Sequence, residues 1–224
     1  MTAPRIIGTG VEGGTSLSGV SLASDIAGGG LVAVDYTEIQ ISNTNQSRMR
    51  ALNRLAVALT GGIRPVVVPL MTDFIAPVLI SNSSDVLTPF SDRSPFSDTS
   101  ELFNPPVSGK VSGAKSASGA TISVSVIGGT GILEGGEWFG LNHTTYGFRA
   151  YCVTDVDSVT GDGHGNNLYT VGIRPTLRDQ IADGASVDWW RPRCTMRLAP
   201  GFAPDIDVSM FWYATPSLKF VEAF

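Results

Sequence analysis

The stretch from Leu133 to Pro200 decides the fold of this chain. It opens with LEGGEWFGLNHTTYGFRAYCVTDVD and closes with LYTVGIRPTLRDQIADGASVDWWRPRCTMRLAP. Apolar residues alternate with more polar ones through Phe148–Val153 and again through Tyr169–Ile173, which is the period of a half-buried strand. The turn-rich sequence SVTGDGHGNN lies between these two runs and is typical of a hairpin loop. The stretch therefore predicts a small antiparallel β-domain.

A proline-pinned turn, IRPTLRD, follows the second of these strands. Pro175 has a fixed φ and no N–H donor, so we expect it to end the strand. We expect Leu177 to enter the core of the small domain and Arg178 to stay at the surface. There Arg178 would pair with Asp179 or Asp183, a contact worth only about 0–1 kcal/mol if exposed.

Composition bounds the class of protein. The chain has 224 residues, which is enough for one large or two small domains with a hydrophobic core. Charged residues make up 16% and glycine contributes 26 residues, a balance found in turn-rich β-proteins and at the cores of assembly contacts. The net charge of −5 gives no basic footprint for nucleic acid, and RMRALNR is the one basic segment. We therefore predict no specific nucleic-acid binding.

The two cysteines and the N-terminus bear on the compartment. Cys152 and Cys194 lie in predicted strands, either as a disulfide or as two buried thiols of a chain made in a reducing cytoplasm. The N-terminal MTAPRII runs directly into glycine-rich sequence rather than an apolar signal core. No stretch approaches the ~18 apolar residues of a membrane span. The sequence predicts neither classical export nor a membrane anchor.

Three segments are predicted along the chain. Residues 1–30 form a Gly/Ser-rich arm, residues 31–132 a β-rich domain with one helix and a long loop, and residues 133–224 the small β-domain with C-terminal strands. The arm contains G-x-G-x-x-G within GTGVEGG, but no amphipathic helix follows it, so the pattern does not indicate a dinucleotide site. We expect the arm to become ordered only by packing on the sheet or on another subunit.

Residues 46–60 form the clearest helix, and we expect it to cover a sheet. Apolar side chains share one face, at Met49, Leu52, Ala56 and Leu59. Gly61 and Gly62 should stop the helix. Three arginines lie on the solvent side: Arg48, Arg50 and Arg54. They are either plain solvated charges or a surface that meets an acidic partner.

Residues 81–120 are polar and rich in serine and proline, and they are predicted to form a long loop. TPFSD at Thr88–Asp92 recurs as SPFSD at Ser94–Asp98. Three aromatic residues are unusual in a merely solvated loop: Phe90, Phe96 and Phe103. They are either anchors into a groove of a partner or a local cluster on the parent domain.

No catalytic or metal site is indicated. The two histidines, His143 and His164, lie in different loops with no cysteine or carboxylate at metal spacing. The acidic loop around Asp155–Asp162 lacks the spacing of a calcium loop, and no G-x-S-x-G elbow exists. We therefore predict no catalytic residue, no metal and no cofactor, and a protein that is not an enzyme.

Several motifs together resemble virion proteins of long-tailed bacteriophages. They are SDRSPFSD at Ser91–Asp98, GGEWF at Gly135–Phe139, YCVTDV at Tyr151–Val156, IRPTLRD at Ile173–Asp179 and RPRCTMRL at Arg191–Leu198. The resemblance covers roughly the second half of the chain and the PFSD loop, and it is strongest to tail-tip proteins of the distal tail protein type. It does not extend to the glycine-rich start.

The resemblance implies a fold and a role. Distal tail proteins combine an antiparallel β-sandwich or split barrel with a covering helix, which suits the predicted helix at 46–60 and a second small β-domain. They form a ring, usually of six copies, that joins the tail tube to the tip hub or baseplate around the tape-measure protein. We therefore expect a structural homohexamer in the virion tail, made in the host cytoplasm, whose partners are itself, the tail tube protein, the hub protein and the tape-measure protein.

Two alternatives remain. One is a carbohydrate-binding module of the virion, since β-sandwiches bind sugars on exposed aromatics such as Trp138, Trp189, Trp190 and Trp212. The other is a different tail component, a tube or connector protein. If the chain assembles, its candidate contacts are Phe90, Phe96, Phe103, Arg48, Arg50, Arg54 and Arg178.

Overall fold

A computed structural model describes most of the chain. The described residues are 3–8, 10–15, 21–25, 28–37, 41–42, 46–59, 62–70, 86–88, 102–104, 107–127, 133–161, 167–201, 208–209, 213–214 and 217–224. Within them the fold is mainly β with a single helix, as predicted from the sequence.

The first half of the chain contributes these elements: β1 Arg5–Ile7, β2 Gly10–Thr15, β3 Ser21–Asp25, β4 Leu31–Tyr36, β5 Ile41–Ser42, α1 Gln46–Ala58, β6 Val66–Pro69, β7 Val86–Thr88, β8 Leu102–Asn104 and β9 Ser108–Lys110. The second half contributes these: β10 Thr121–Val126, β11 Trp138–His143, β12 Gly147–Gly161, β13 Asn167–Arg174, β14 Ser186–Asp188, β15 Arg193–Leu198, β16 Val208–Ser209, β17 Tyr213–Ala214 and β18 Leu218–Glu222.

Six antiparallel strands form a nearly closed barrel. Their order is β10-β13-β12-β11-β14-β9, and the two end strands meet through bridges between Ser108 and Ile127 and between Val111 and Val124. Ser108 and Ile127 exchange backbone hydrogen bonds of 2.9 and 2.7 Å. Closure in this way removes unpaired edges from the sheet.

Strand alternation fills the barrel. Phe139 and Leu141 on β11 face the same side as Tyr151 and Val153 on β12, and all four are buried in one apolar cluster. Trp189 completes this core, with its ring 5.0 Å from that of Phe139. Four of the six barrel strands, β11 to β14, therefore come from the Leu133–Pro200 stretch, whereas its last strand, β15, lies in another sheet.

The closure also depends on one glycine. A Cβ added to Gly109 on β9 would lie 2.2 Å from the carbonyl oxygen of Ser125 and 2.6 Å from the indole nitrogen of Trp189. That indole N–H donates a 3.3 Å hydrogen bond to the same carbonyl. Only a residue without a side chain allows β9 to approach β10 this closely.

Five further antiparallel strands form a second sheet that packs on the outside of the barrel. Their order is β1-β4-β18-β15-β6. Its apolar face, including Val34, Met196 and Phe220, is buried in one cluster with Trp138 and Ala150 on the outer side of β11 and β12. Leu52 of helix α1 and Leu59 directly after the helix are buried in the same cluster. This confirms the predicted covering helix.

Several predicted boundaries are corrected. The boundary near residue 132 does not separate the sheets, because strands from both sides of it lie in each of the two large sheets. The N-terminal arm packs in part on the sheet, as expected, since β1 pairs with β4, and it also contains the pair β2 and β3. The predicted long loop is interrupted, because β9, Ser108–Lys110, lies within it and belongs to the barrel.

The turn after β13 follows the sequence in two respects. β13 ends at Arg174, directly before Pro175, as the missing N–H of proline requires. Leu177 is buried in the barrel cluster, 1% exposed.

Among the described residues, the one helix is too short and too polar to cross a membrane.

Candidate functional site

The three predicted helix arginines are all exposed. Arg48, Arg50 and Arg54 are all exposed on α1, whose buried residue is Leu52. This confirms their solvent-facing placement. The helix has no acidic residue, so its charged side chains are all basic.

Of the three predicted phenylalanine anchors, the structure describes one. Phe90 and Phe96 lie outside the described residues. Phe103 lies in β8, where its backbone pairs with Leu87 of β7. β7 and β8 form a two-stranded sheet that pairs with no other described strand. The groove contact predicted for these aromatic residues stays a prediction.

Arg178 is not a surface residue, and its predicted pairing with Asp179 or Asp183 is wrong. Its side chain is 9% exposed and pairs with Glu222 of β18. Nε and Nη2 donate to the two carboxylate oxygens of Glu222 over 3.1 and 2.8 Å, which is the bidentate geometry of a strong pair. The turn after β13 therefore anchors the barrel to the second sheet.

A triple-glycine loop completes the surroundings of Arg178. Gly28, Gly29 and Gly30 all have positive φ, at 96°, 68° and 89°. Three consecutive residues with positive φ are practicable only for glycine, and this backbone conformation turns two carbonyls toward the guanidinium. Nη1 donates to the Gly28 oxygen over 2.9 Å, and Nη2 donates to the Gly30 oxygen.

Glu222 is also held from the barrel side. Arg149 on β12 donates from Nη1 to Glu222 and to the backbone oxygen of Thr195, each over 3.3 Å. The Val32 N–H donates to the other carboxylate oxygen over 3.2 Å. The Glu222 side chain is 0% exposed and that of Arg149 is 2% exposed. We call Glu222, Arg149 and Arg178 the buried ion cluster.

An aromatic lid covers the two guanidiniums. The ring of Phe224 lies 4.9 Å from the guanidinium carbon of Arg149 and 5.1 Å from that of Arg178. Tyr146 meets Phe224 edge-on, at 5.8 Å between ring centroids. Ring faces attract cations, so the lid partly offsets the excess positive charge of the cluster.

A buried histidine–tyrosine pair adjoins the cluster at the same end of the barrel. His143 Nε2 lies 2.6 Å from the Tyr151 hydroxyl, which also accepts a 3.2 Å hydrogen bond from the Arg178 N–H. Burial lowers the pKa of His143, against a raising effect of Asp179. Burial likewise raises the pKa of Tyr151. Both groups are therefore held neutral at pH 7.

This constellation is built to hold elements together. Its carboxylate, its histidine and one of its arginines are nearly inaccessible to solvent, so a solute has no access to the groups that would carry acid–base chemistry. Within the described part of the chain, no group of three or more potential metal-ligating side chains comes together. The arrangement can fix the barrel against the second sheet with charge-assisted hydrogen bonds.

The two cysteines are free thiols rather than a disulfide. Cys152 is half-buried on β12 and Cys194 is fully buried on β15. Burial raises the pKa of Cys194 to about 12 and that of Cys152 to about 11. Neither is activated as a nucleophile, since the reactive form is the thiolate.

An apolar cleft opens beside helix α1. It has a volume of about 230 Å³ and lies where α1 meets β6. Its lining is Tyr36, Leu55, Val66, Val67, Val68, Pro69, Leu218 and Phe220. The Tyr36 hydroxyl on β4 donates a hydrogen bond to the Pro69 carbonyl on β6. Both groups are therefore already paired and are not free to bind a polar ligand in the cleft.

Large apolar side chains are exposed on α1, on the turn after it and on β6. Val57 at the end of α1 is 76% exposed, Ile63 in the following turn 83%, and Val67 on β6 44%. β6 is a terminal strand of its sheet, paired only with β15 among the described strands. Exposed apolar side chains at a sheet edge are a signature of contact surfaces.

Two of the tryptophans suggested for sugar binding are buried. Trp138 is 4% exposed and Trp189 0% exposed, each in a hydrophobic core. Trp190 is half-buried, and Trp212 lies outside the described residues. The interpretation of Trp138 and Trp189 as exposed sugar-stacking rings is wrong.

Sequence reasoning missed Glu222 and Arg149, although a signal for each was present. Glu222 has the same strand parity as Leu218 and Phe220, and Arg149 the same as Tyr151 and Val153. A charged residue on the apolar parity of a strand points to a buried pair. The partner of each lies far away in sequence, and only the fold identifies it.

Comparison with known proteins adds no family: no protein-family model matches the sequence, and no curated protein matches it.

Proposed function

We propose that this chain is a structural subunit of a bacteriophage tail, forming a closed ring at the tail tip that joins the tail tube to the hub or baseplate. The observation that carries the proposal is the surface where α1 meets β6. Helix α1 carries three exposed arginines, and three apolar residues are exposed at Val57 of α1, Ile63 after it and Val67 on the terminal strand β6. Exposed apolar side chains together with charges of a single sign are typical of a surface that binds a partner.

Two further observations support the proposal. The motifs at Gly135–Phe139, Ile173–Asp179 and Arg191–Leu198 resemble those of tail-tip proteins. The buried ion cluster is nearly inaccessible to solvent and connects the barrel to the second sheet through salt bridges. A subunit that transmits force along a tail needs such a connection. A heterologous contact between copies closes into a ring when its rotation permits, and the number six comes from the resemblance alone.

The test is the assembled mass and shape. We expect size-exclusion chromatography with light scattering to give a multiple of the 23.6 kDa subunit, and electron microscopy to give ring-shaped particles. Addition of the tube and hub proteins from the same virion should yield a complex containing both, which separates a tip ring from a tube protein that stacks on itself. Monomers at every concentration, with and without those neighbours, would refute the proposal.

A further inference from the structure

We propose that the apolar cleft between α1 and β6 receives a phenylalanine of the repeated PFSD segment from a neighbouring copy of this chain. The inference rests on the proposed ring and supplies its contact. The PFSD segment is residues 88–98, which contain TPFSD and SPFSD. The cleft is the site lined by Leu55, Val67 and Phe220 among others.

The volume of the cleft fits one aromatic ring. A cavity of about 150 Å³ accommodates benzene, whereas pockets for whole small-molecule ligands start at about 300 Å³. The cleft, at about 230 Å³, lies between these values. Its lining of valine, leucine, proline and aromatic side chains offers dispersion contacts and no charged group to bind a polar ligand.

The PFSD segment has the chemistry of an anchor. Phe90 and Phe96 are each preceded by a proline, which restricts the backbone and lowers the entropy lost on docking. The segment connects β7 and β8, a two-stranded sheet that pairs with no other described strand. An isolated two-stranded hairpin is marginally stable in water, so such a unit gains from packing against another surface.

Charge complementarity selects this segment over other apolar ones. Three acidic residues against one arginine lie in the connection between β7 and β8, with Asp92 and Asp98 each two residues after a phenylalanine. The helix beside the cleft carries three exposed arginines and no acid. Arg54 directly precedes Leu55 of the cleft wall. A docked ring would therefore bring the acids of the segment to a helix whose charged side chains are all arginines.

The contact joins two different surfaces of the chain, which is the arrangement that makes rings. Each copy would offer its segment to one neighbour and its cleft to the other, a head-to-tail contact. No described side chain of the same copy occupies the cleft. A neighbouring copy supplies the missing ring and, at the same time, extends the assembly by one subunit.

Three full-length variants test the proposal by light scattering. Phe90→Ala with Phe96→Ala removes the anchors, and Val67→Trp fills the cleft from a half-exposed position. Val159→Trp is the matched control, because Val159 is also a strand valine, 48% exposed against 44% for Val67, but it lies in the barrel hairpin. We expect the first two to lose the ring and the control to keep it, all with wild-type melting temperatures.

Mixing the two defective variants tests whether the contact is between copies. The anchor variant keeps its cleft and the cleft variant keeps its segment, so one contact per pair is restored. We expect a 1:1 complex that grows no further. If the mixture remains monomeric, the segment docks within its own chain and the proposal fails. If either variant alone still forms rings, the proposal also fails while the ring itself stands.

A synthetic peptide separates this proposal from the ring. A labelled peptide of residues 86–100 should bind the anchor variant, with fluorescence anisotropy rising as protein is added. Binding should weaken with salt and disappear in an anchor variant that also carries Val67→Trp. A peptide with both phenylalanines changed to alanine is the control. If the wild-type chain forms no ring but this peptide binds at the cleft, the docking stands without the ring. No binding overturns the docking proposal.

Discussion

Arg178→Met is the change that most directly tests the buried ion cluster. Methionine keeps much of the stem length of arginine but removes the bidentate pair with Glu222, whose contacts are 3.1 and 2.8 Å. It also removes the donors to the Gly28 and Gly30 carbonyls. Glu222 would keep the 3.3 Å contact with Arg149 and the Val32 N–H.

The expected magnitude follows from burial. The Glu222 side chain is 0% exposed and that of Arg178 9%. Removing one partner of such a pair typically costs about 3–5 kcal/mol, because the remaining charge stays desolvated. For a chain of this size each kcal/mol lowers the melting temperature by roughly 2–4 °C, so we expect a drop of roughly 6–20 °C.

Arg5→Met is the matched control. Arg5 pairs with Asp35 over 2.9 Å, nearly the distance of the shorter Arg178 contact, but its side chain is 48% exposed. An exposed pair contributes about 0–1 kcal/mol, so we expect a shift of at most about 4 °C. The two variants therefore differ in burial while sharing residue type and contact distance.

Thermal and urea unfolding followed by circular dichroism measure both variants. Glu222→Gln should destabilise at least as much as Arg178→Met, because it leaves two buried guanidiniums without their anion. An effect of Arg178→Met no larger than that of Arg5→Met would refute this reasoning. It would mean that Arg178 is solvated, as the sequence alone suggests.

Further predictions concern the barrel and the adjoining histidine. Leu177→Ala should cost about 2–5 kcal/mol in urea unfolding, since Leu177 is 1% exposed in the barrel core, and a loss under about 1 kcal/mol would contradict that burial. Gly109→Ala should cost about 1–3 kcal/mol or more, because its Cβ would meet the Ser125 carbonyl at 2.2 Å. Gly161→Ala, with nothing within 4 Å, should change little, and equal melting temperatures would count against the close approach. Burial lowers the pKa of His143 below the value of about 6.5 in the unfolded chain, so the unfolded state gains a proton first. Stability should be retained above pH 6.5 and fall as pH drops below it, and His143→Phe should flatten melting temperature against pH between about 5 and 7.

The sequence determined the elements whose cause is local. The apolar stripe of Met49, Leu52 and Leu59 produced a helix, observed at Gln46–Ala58 within the predicted range 46–60. Pro175 ended β13 because it has no donor for the ladder, and Leu177 entered the core. Each of these outcomes depends on the conformational limits or the periodicity of a few neighbouring residues.

Tertiary structure alone decided which elements meet. β18, at the end of the described chain, pairs with β4 near its start, and β9 closes the barrel against β10. Strand pairing depends on burial of a whole sheet face and on register, and the sequence of one strand does not identify the strand that pairs with it. For this reason the sequence predicted two consecutive β-domains, whereas both large sheets draw on distant segments.

The fate of Arg178 shows the same division in a single residue. Its local sequence, IRPTLRD, offers nearby Asp179, and an arginine in a turn is ordinarily solvated. The folded chain instead brings Glu222 and the Gly28–Gly30 carbonyls around it. An arginine can be buried when a carboxylate and carbonyls replace its water, and those groups arrive only through long-range strand pairing.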